Sequence, residues 1–199
     1  VAPALAAGNT VVAKPSEVTP MTAYLFSKIC IEAGLPKGVL NIVHGLGSKI
    51  GDQLTTHPDV PVVSFTGGTI TGKHIASITA PMFKKLSLEL GGKNPNIIFE
   101  DADFEKAVSI AARAAFTNQG QICLCGSRLF VQKGIYNKFK EALILKTKKL
   151  TVGDPKDPSS KLGAVVSKEH MQKILDKIDL AKSLGGDILI GGKREILEG

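Results

Sequence analysis

Short β-branched runs alternate with helix-length amphipathic stretches along the first half of the chain, and this alternation restricts it to an α/β architecture. Thr10 to Lys14 reads as a buried strand ended by Pro15, and Met21 to Ala33 follows with apolar residues at helical spacing (Leu25, Ile29, Ala33). Ser16 or Thr19 is the expected cap of that helix, with Pro20 in its first turn and Gly34 at its end. Val39 to Val43 is the next strand, Ser48 to Thr55 a second helix, Val62 to Phe65 a third strand, and the turn Thr66-Gly67-Gly68-Thr69 opens a helix toward Ser77. Strands joined through helices by short links imply a parallel Rossmann-like sheet covered on both faces. Ligands of such sheets bind beyond the carboxyl ends of the strands, which directs attention to the turns after Lys14, Val43 and Phe65.

Lys85 to Leu90 is a further extended run, broken by Gly91-Gly92 and Pro95. The expected domain crossing lies here, giving residues 1–91 to a first α/β domain and 92–199 to part of a second. The second begins with Asn96 to Phe99, and Asp101 and Asp103 precede a helix expected from about Phe104 to Phe116. Asn118-Gln119-Gly120 breaks that helix, and Ser127 to Gln132 is again extended. Lysine-rich helices are expected over Tyr136 to Lys149 and Lys168 to Lys182, with a last strand at Asp187 to Ile190. The chain begins at Val1 without Met and closes on Leu197-Glu198-Gly199 with no terminating element, so it reads as a fragment of something longer.

Composition removes several function classes. The net charge of +7 comes from lysines spread along amphipathic helices, a solvated-face pattern, and basic patches interleaved with aromatics are absent, so nucleic acid is not an expected partner. No apolar run is long enough to cross a bilayer, so no membrane association is expected either. Three cysteines, an odd and sparse count, argue against a disulfide framework and for a reducing, cytoplasmic setting. Cys123 and Cys125 are too close for a CxxC pair, and no second Cys or His pair completes a metal site.

Two residues carry reactive chemistry. Cys123 lies in Phe116-Thr117-Asn118-Gln119-Gly120-Gln121-Ile122-Cys123-Leu124-Cys125, where Gly120 permits unusual backbone angles just before it. A thiolate there can add to a carbonyl, although a cysteine in an apolar stretch is more often a small packing residue. Glu89 stands between Leu88 and Leu90 on an expected buried strand. Burial of a carboxylate there would raise its pKa and suit it to general-base work, with a structural ion pair to Lys93 as the alternative. Cys125 is either a resolving thiol for oxidised Cys123 or, the favoured reading, a packing residue beside it.

Together the segments Leu88-Glu89-Leu90-Gly91-Gly92-Lys93-Asn94-Pro95 and Asn118 to Cys125, with Cys123 following Glu89 by 34 positions, resemble the glutamate and cysteine signatures of the aldehyde dehydrogenase superfamily. Pro3 to Glu17, Gly34 to Val43 and Phe65-Thr66-Gly67-Gly68 extend the likeness over essentially the whole chain. Glu100-Asp101-Ala102 and the cysteine segment look most like the 2-aminomuconate semialdehyde dehydrogenase branch.

The resemblance implies an oxidoreductase that converts an aldehyde to a carboxylic acid through a thiohemiacetal and a thioester on Cys123, with Glu89 activating water. It implies that Lys14 and Glu17 hold the adenine ribose, Glu17 favouring NAD over NADP by repelling a 2′-phosphate. Gly47 would lie on the adenine side, and Gly67, Gly68, Thr69 and Gly72 near the pyrophosphate at a helix N-terminus. Many members carry Ser where Gly68 stands, and Gly supplies no hydroxyl. The Leu90 backbone would meet the nicotinamide amide. The family's oxyanion-stabilising Asn and its Glu-x-Phe-Gly-Pro segment would lie outside the chain, so reduced or no activity is expected of it alone. The full-length protein is expected to form a homo-oligomer. The alternatives are a non-catalytic relic that binds nucleotide or a subunit, and a reductase or acyl-transferring relative that uses the same cysteine without water.

Overall fold

The computed structural model describes residues 1–197 and divides into two compact units, Val1–Glu89 and Leu90–Gly199. In the first unit a short helix α1 (Ala2–Ala6) leads into β1 (Val11–Ala13). Helix α2 (Met21–Glu32) then carries the chain back to β2 (Leu40–Ile42), which pairs parallel with β1 in the register Val11↔Leu40 to Ala13↔Ile42. A parallel pair cannot be closed by a tight turn, and α2 supplies the crossover. Helix α3 (Gly47–Thr55), β3 (Val62–Gly67), α4 (Thr69–Thr79) and β4 (Lys85–Leu90) follow, with β3 hydrogen-bonded to β4.

The second unit repeats the plan. Strand β5 (Pro95–Ile98), helix α5 (Phe104–Phe116) and β6 (Arg128–Val131) form a strand–helix–strand crossover, parallel in the register Pro95↔Arg128 to Ile98↔Val131. Asp103 caps α5, its carboxylate accepting the Lys106 N–H at 3.2 Å. Val108, Ala111 and Ala112, at helical spacing, are buried on one face of α5. Val108 and Ala111 meet Ile98 of β5 and Phe139 of α6 (Tyr136–Thr147) in the core of this unit. Phe139 is fully buried and Phe104 packs edge-on against it, ring centres 5.9 Å apart. The last helix, α7 (Lys168–Ser183), is capped by Ser167.

The expected α/β class with parallel strand pairing holds, and three details are corrected. The strands form three two-stranded ladders, β1–β2, β3–β4 and β5–β6, and no ladder joins β3 to the first pair among the described residues. Alternation specifies each crossover but not which strands become neighbours. Neither Ser16 nor Thr19 caps α2: Pro20 is its N-cap without a side-chain bond, and the Ser16 hydroxyl instead accepts the Val18 N–H. Asp187 to Ile190 is not a strand. Its apolar run favours extended backbone, but a strand requires a partner, and Ile188, Leu189 and Ile190 remain exposed.

Among the described residues no helix is long and apolar enough to cross a membrane. Because Phe139 fills the second unit's core with no exposed surface, Phe139→Ala is expected to cost about 3–5 kcal/mol. Equilibrium denaturant unfolding of the full-length protein measures this, and a loss below about 1 kcal/mol would show the site collapsing around the gap.

Candidate active site

In the first unit the expected cofactor residues gather at the carboxyl ends of the strands. Lys14 directly follows β1, and its ammonium donates to the Pro15 carbonyl (2.6 Å), to the Gly45 carbonyl beyond β2 (3.4 Å) and to Glu17 Oε2 (3.4 Å). The parallel register puts both strand ends on one edge, so Lys14 bridges the β1 and β2 exits. Glu17 is exposed, and its carboxyl is held below the usual glutamate range. Its own backbone N–H is the main cause, Lys14 adds a hydrogen bond and a charge, and the Gly47 backbone contributes less.

Gly47 is the first residue of α3, and Gly68 is the N-cap of α4, in extended conformation. No side chain caps α4, and Gly67, Gly68 and Thr69 are exposed. Its first turn therefore offers backbone N–H groups and the positive end of the helix dipole to an anion. A side chain at Gly47 or Gly68 would enter open space, so the backbone is approachable at both. Gly72, buried in the first turn of α4, donates its N–H to the Gly68 carbonyl and packs against the unit rather than facing outward. A basic–acidic pair at one strand exit and an uncapped helix start after another supply the acceptors and donors that fit a dinucleotide. Among the described residues, no group of three or more His, Cys, Asp or Glu side chains could hold a metal ion.

Glu89 differs from expectation. Along β4, Leu86, Leu88 and Leu90 are half-buried while Lys85, Ser87 and Glu89 are exposed. Period-two alternation sends Glu89 to the face opposite its leucine neighbours, and that face is exposed. Glu89 takes part in none of the ion pairs among the described residues, Lys93 included.

Cys123 sits at the tip of a tight turn in the second unit. After α5 the chain passes through three left-handed residues, Asn118 (φ 51°), Gln119 (φ 56°) and Gly120 (φ 72°). Gly adopts this conformation freely, whereas side-chain-bearing residues there cost on the order of 1–3 kcal/mol each. The Cys125 N–H donates to the Ile122 carbonyl at 3.1 Å, leaving Cys123 and Leu124 as the two central residues of the turn. Cys123 is exposed, Cys125 is buried at 6% exposure, and both thiols are free. The Cys123 N–H has no hydrogen-bond acceptor among the described residues. Cys125 faces a hollow of about 420 Å³ that Ile110, Ala114, Ile122 and Leu124 also line, in keeping with the packing reading.

Several groups hold this turn. The Gln121 side-chain oxygen accepts the Val166 N–H (3.1 Å), tying the cysteine segment to the loop before α7. With the Gln119 amide turned so that its oxygen meets the Gly163 N–H (2.7 Å), its nitrogen reaches the Asn118 carbonyl (2.8 Å). On the other side, Asn94 Nδ2 donates to the carbonyls of both Cys123 (2.7 Å) and Cys125 (3.1 Å). The Asn94 carbonyl accepts the Arg128 N–H (3.1 Å), and Arg128 Nε donates to the Lys93 carbonyl (2.9 Å). Sequence reading missed Asn94, Gln119 and Gln121 as supports. The available signal was Asn94 immediately before Pro95, a position held to extended backbone.

Over residues 1–199 the chain matches the model of the aldehyde dehydrogenase family. The chain belongs to that family. It is 51% identical to 2-aminomuconic semialdehyde dehydrogenase of Mus musculus over 191 residues, 96% of this chain and 39% of that protein. It is 49% identical to aldehyde dehydrogenase family 2 member C4 of Arabidopsis thaliana, over 97% of this chain and 39% of that protein. Betaine aldehyde dehydrogenase of Staphylococcus aureus, solved in complex with NAD+, superimposes with a TM-score of 0.95 at 47% identity, covering 98% of this chain and 39% of that one. The aldehyde dehydrogenase segment thus spans about two fifths of the length of these relatives.

Because the Glu17 backbone is the largest single cause of its low pKa and persists without Lys14, Lys14→Ala is expected to raise that pKa only part of the way to the ordinary glutamate value. Carbon-detected NMR titration of the Glu17 carboxyl checks this, and an unchanged midpoint would contradict the pairing.

Proposed function

We propose that the full-length protein carrying this chain oxidises an aldehyde to a carboxylic acid with NAD, Cys123 acting as nucleophile and Glu89 as general base. The observation that carries the reading is the exposed Cys123 at the tip of a held turn, its backbone N–H left without a protein acceptor. In this reading the first unit is the NAD-binding domain and the second part of the catalytic domain. The family supports aldehyde oxidation. The NAD+ complex of the S. aureus relative supports the cofactor.

The Cys123 thiolate adds to the aldehyde carbon, forming a C–S bond while the carbonyl π electrons move to oxygen. The Cys123 N–H is placed to donate to that oxyanion. Lys14, Glu17, Gly47, Gly67, Gly68, Thr69 and the Leu90 backbone would hold NAD, with Gly72 setting the close packing of the helix start. When bound, NAD supplies the oxidant by accepting a hydride from the substrate carbon. Cys123 then carries the acyl group as a thioester. Glu89 takes a proton from water, whose oxygen attacks the acyl carbon, and the C–S bond breaks to release the acid and restore the thiolate. An exposed Glu89 keeps access to water within its own unit. The Glu17 carboxylate opposes a 2′-phosphate and favours NAD over NADP.

The substrate is placed at the level of an aldehyde, because relatives named for different aldehydes have similar identities to the chain: 51% for 2-aminomuconic semialdehyde dehydrogenase and 47% for 4-trimethylaminobutyraldehyde dehydrogenase A of Danio rerio. A cytoplasmic setting and assembly as a homo-oligomer complete the proposal. The first rests on three free cysteines.

The test uses the full-length protein, NAD and a panel of aliphatic, aromatic and cationic aldehydes. Cys123→Ser is expected to abolish NADH formation. Glu89→Gln is expected to retain a single-turnover burst of NADH while steady-state turnover falls roughly a hundredfold or more, the scale of a lost general base. NADH formation by Cys123→Ser at the wild-type rate would overturn the nucleophile. Full steady-state turnover in Glu89→Gln would move the base elsewhere and favour the reading in which the acyl group is not passed to water. A second prediction concerns the cofactor: Glu17→Gln is expected to narrow the preference for NAD over NADP by about tenfold, equivalent to roughly 1.4 kcal/mol. An unchanged ratio of kcat/KM for the two cofactors would remove Glu17 from that role.

A further inference from the structure

We infer that Asn94 is a positioning residue for the nucleophile, its single side-chain amide setting the turn that aims both the Cys123 thiol and the Cys123 N–H. The inference rests on the reading of Cys123 as nucleophile and adds a residue to it. Asn94 Nδ2 spans the turn, donating to the carbonyl of its first central residue, Cys123 (2.7 Å), and to that of its last residue, Cys125 (3.1 Å). The Cys125 N–H to Ile122 carbonyl bond closes the same turn from within. The amide thus holds the peptide plane that follows Cys123 and the one that follows Cys125, while the Cys125 N–H bond holds the Ile122 carbonyl, in the plane that carries the Cys123 N–H. The backbone angles of Cys123 are thereby confined, and with them the directions of its N–H and side chain.

The amide is itself fixed. Asn94 precedes Pro95, which disfavours helical backbone at Asn94, and its carbonyl accepts the Arg128 N–H at 3.1 Å. The Arg128 guanidinium ties down the preceding carbonyl, that of Lys93, at 2.9 Å. Parallel pairing of β5 and β6 puts residue 94 and the turn before β6 at the same edge. Asn94 touches neither substrate nor cofactor in this scheme. It acts through Cys123. Carbonyl addition needs the thiolate and the N–H to converge on one substrate group, whereas alkylation needs an accessible thiolate alone. Loss of the clamp therefore slows the first far more than the second.

The full-length protein provides the test, assayed with NAD and the best aldehyde of the panel above. Asn94→Ala removes both donors, and Asn94→Ser keeps one donor on a shorter arm. The burst of NADH is expected to slow roughly ten- to a hundredfold in Asn94→Ala and less in Asn94→Ser, as for a misplaced reacting group. KM for NAD should stay within about twofold, and iodoacetamide should alkylate Cys123 within about threefold of the wild-type rate, with Cys125 still protected. A burst within twofold of wild type in both variants would overturn the inference. So would a slowed burst accompanied by rapid alkylation of Cys125, which would make Asn94 a general support of the fold. If Asn94→Ala does not fold, Asn94→Ser decides between the same results. Cys123→Ser run alongside separates the two ideas, since its retained activity would remove the nucleophile and not merely its positioning.

Discussion

The parallel pairing of β5 with β6 is the constraint on which the cysteine turn of the second unit depends. Its register, Pro95↔Arg128 to Ile98↔Val131, brings the residues just before β5 beside those just before β6 although more than 30 positions separate them. Asn94 therefore meets the cysteine turn, and Arg128 closes the junction through its N–H to Asn94 and its guanidinium to Lys93. The crossover through α5 makes that pairing possible, and Val108, Ala111 and Phe139 hold the helix on the strands. Shifting the register by one residue would turn the inward-facing Ile98 outward and carry Asn94 away from both carbonyls.

The same economy governs the first unit. Parallel β1 and β2 end on one edge, and a single ammonium, that of Lys14, binds groups from both exits. Its charge helps keep Glu17 ionised beside the start of α3. At the exit of β3, Gly68 leaves α4 uncapped, so the backbone N–H groups of that turn remain available to a ligand. Lys14, Glu17, Gly68 and Cys123 lie in or at the edges of connections, whereas Glu89 stands on β4; strands and helices fix where those connections begin.

Much of this was legible in the sequence. Periodicity and punctuation located β1 to β4, β6 and the longer helices within a few residues, and the unusual backbone expected at Gly120 is present as its positive φ. What escaped depends on tertiary partners. Two leucines flanking Glu89 suggested burial, yet alternation along β4 places Glu89 on the opposite face. Asp187 to Ile190 has the composition of a strand but nothing to pair with among the described residues. The bonds from Asn94 to Cys123 and from Gln121 to Val166 join residues 29 and 45 positions apart, and no local pattern reports such reach.

The central claim is that Cys123 forms the bond to the substrate carbon. It is tested most directly by incubating full-length Glu89→Gln protein with NAD and a good aldehyde, quenching in acid and mapping the peptides by mass spectrometry. The account predicts an acyl group, lighter by two hydrogens than the aldehyde addition product, on the sulfur of Cys123 and absent from Cys125. An adduct on Cys125, or NADH formed with Cys123 unmodified throughout, would contradict it.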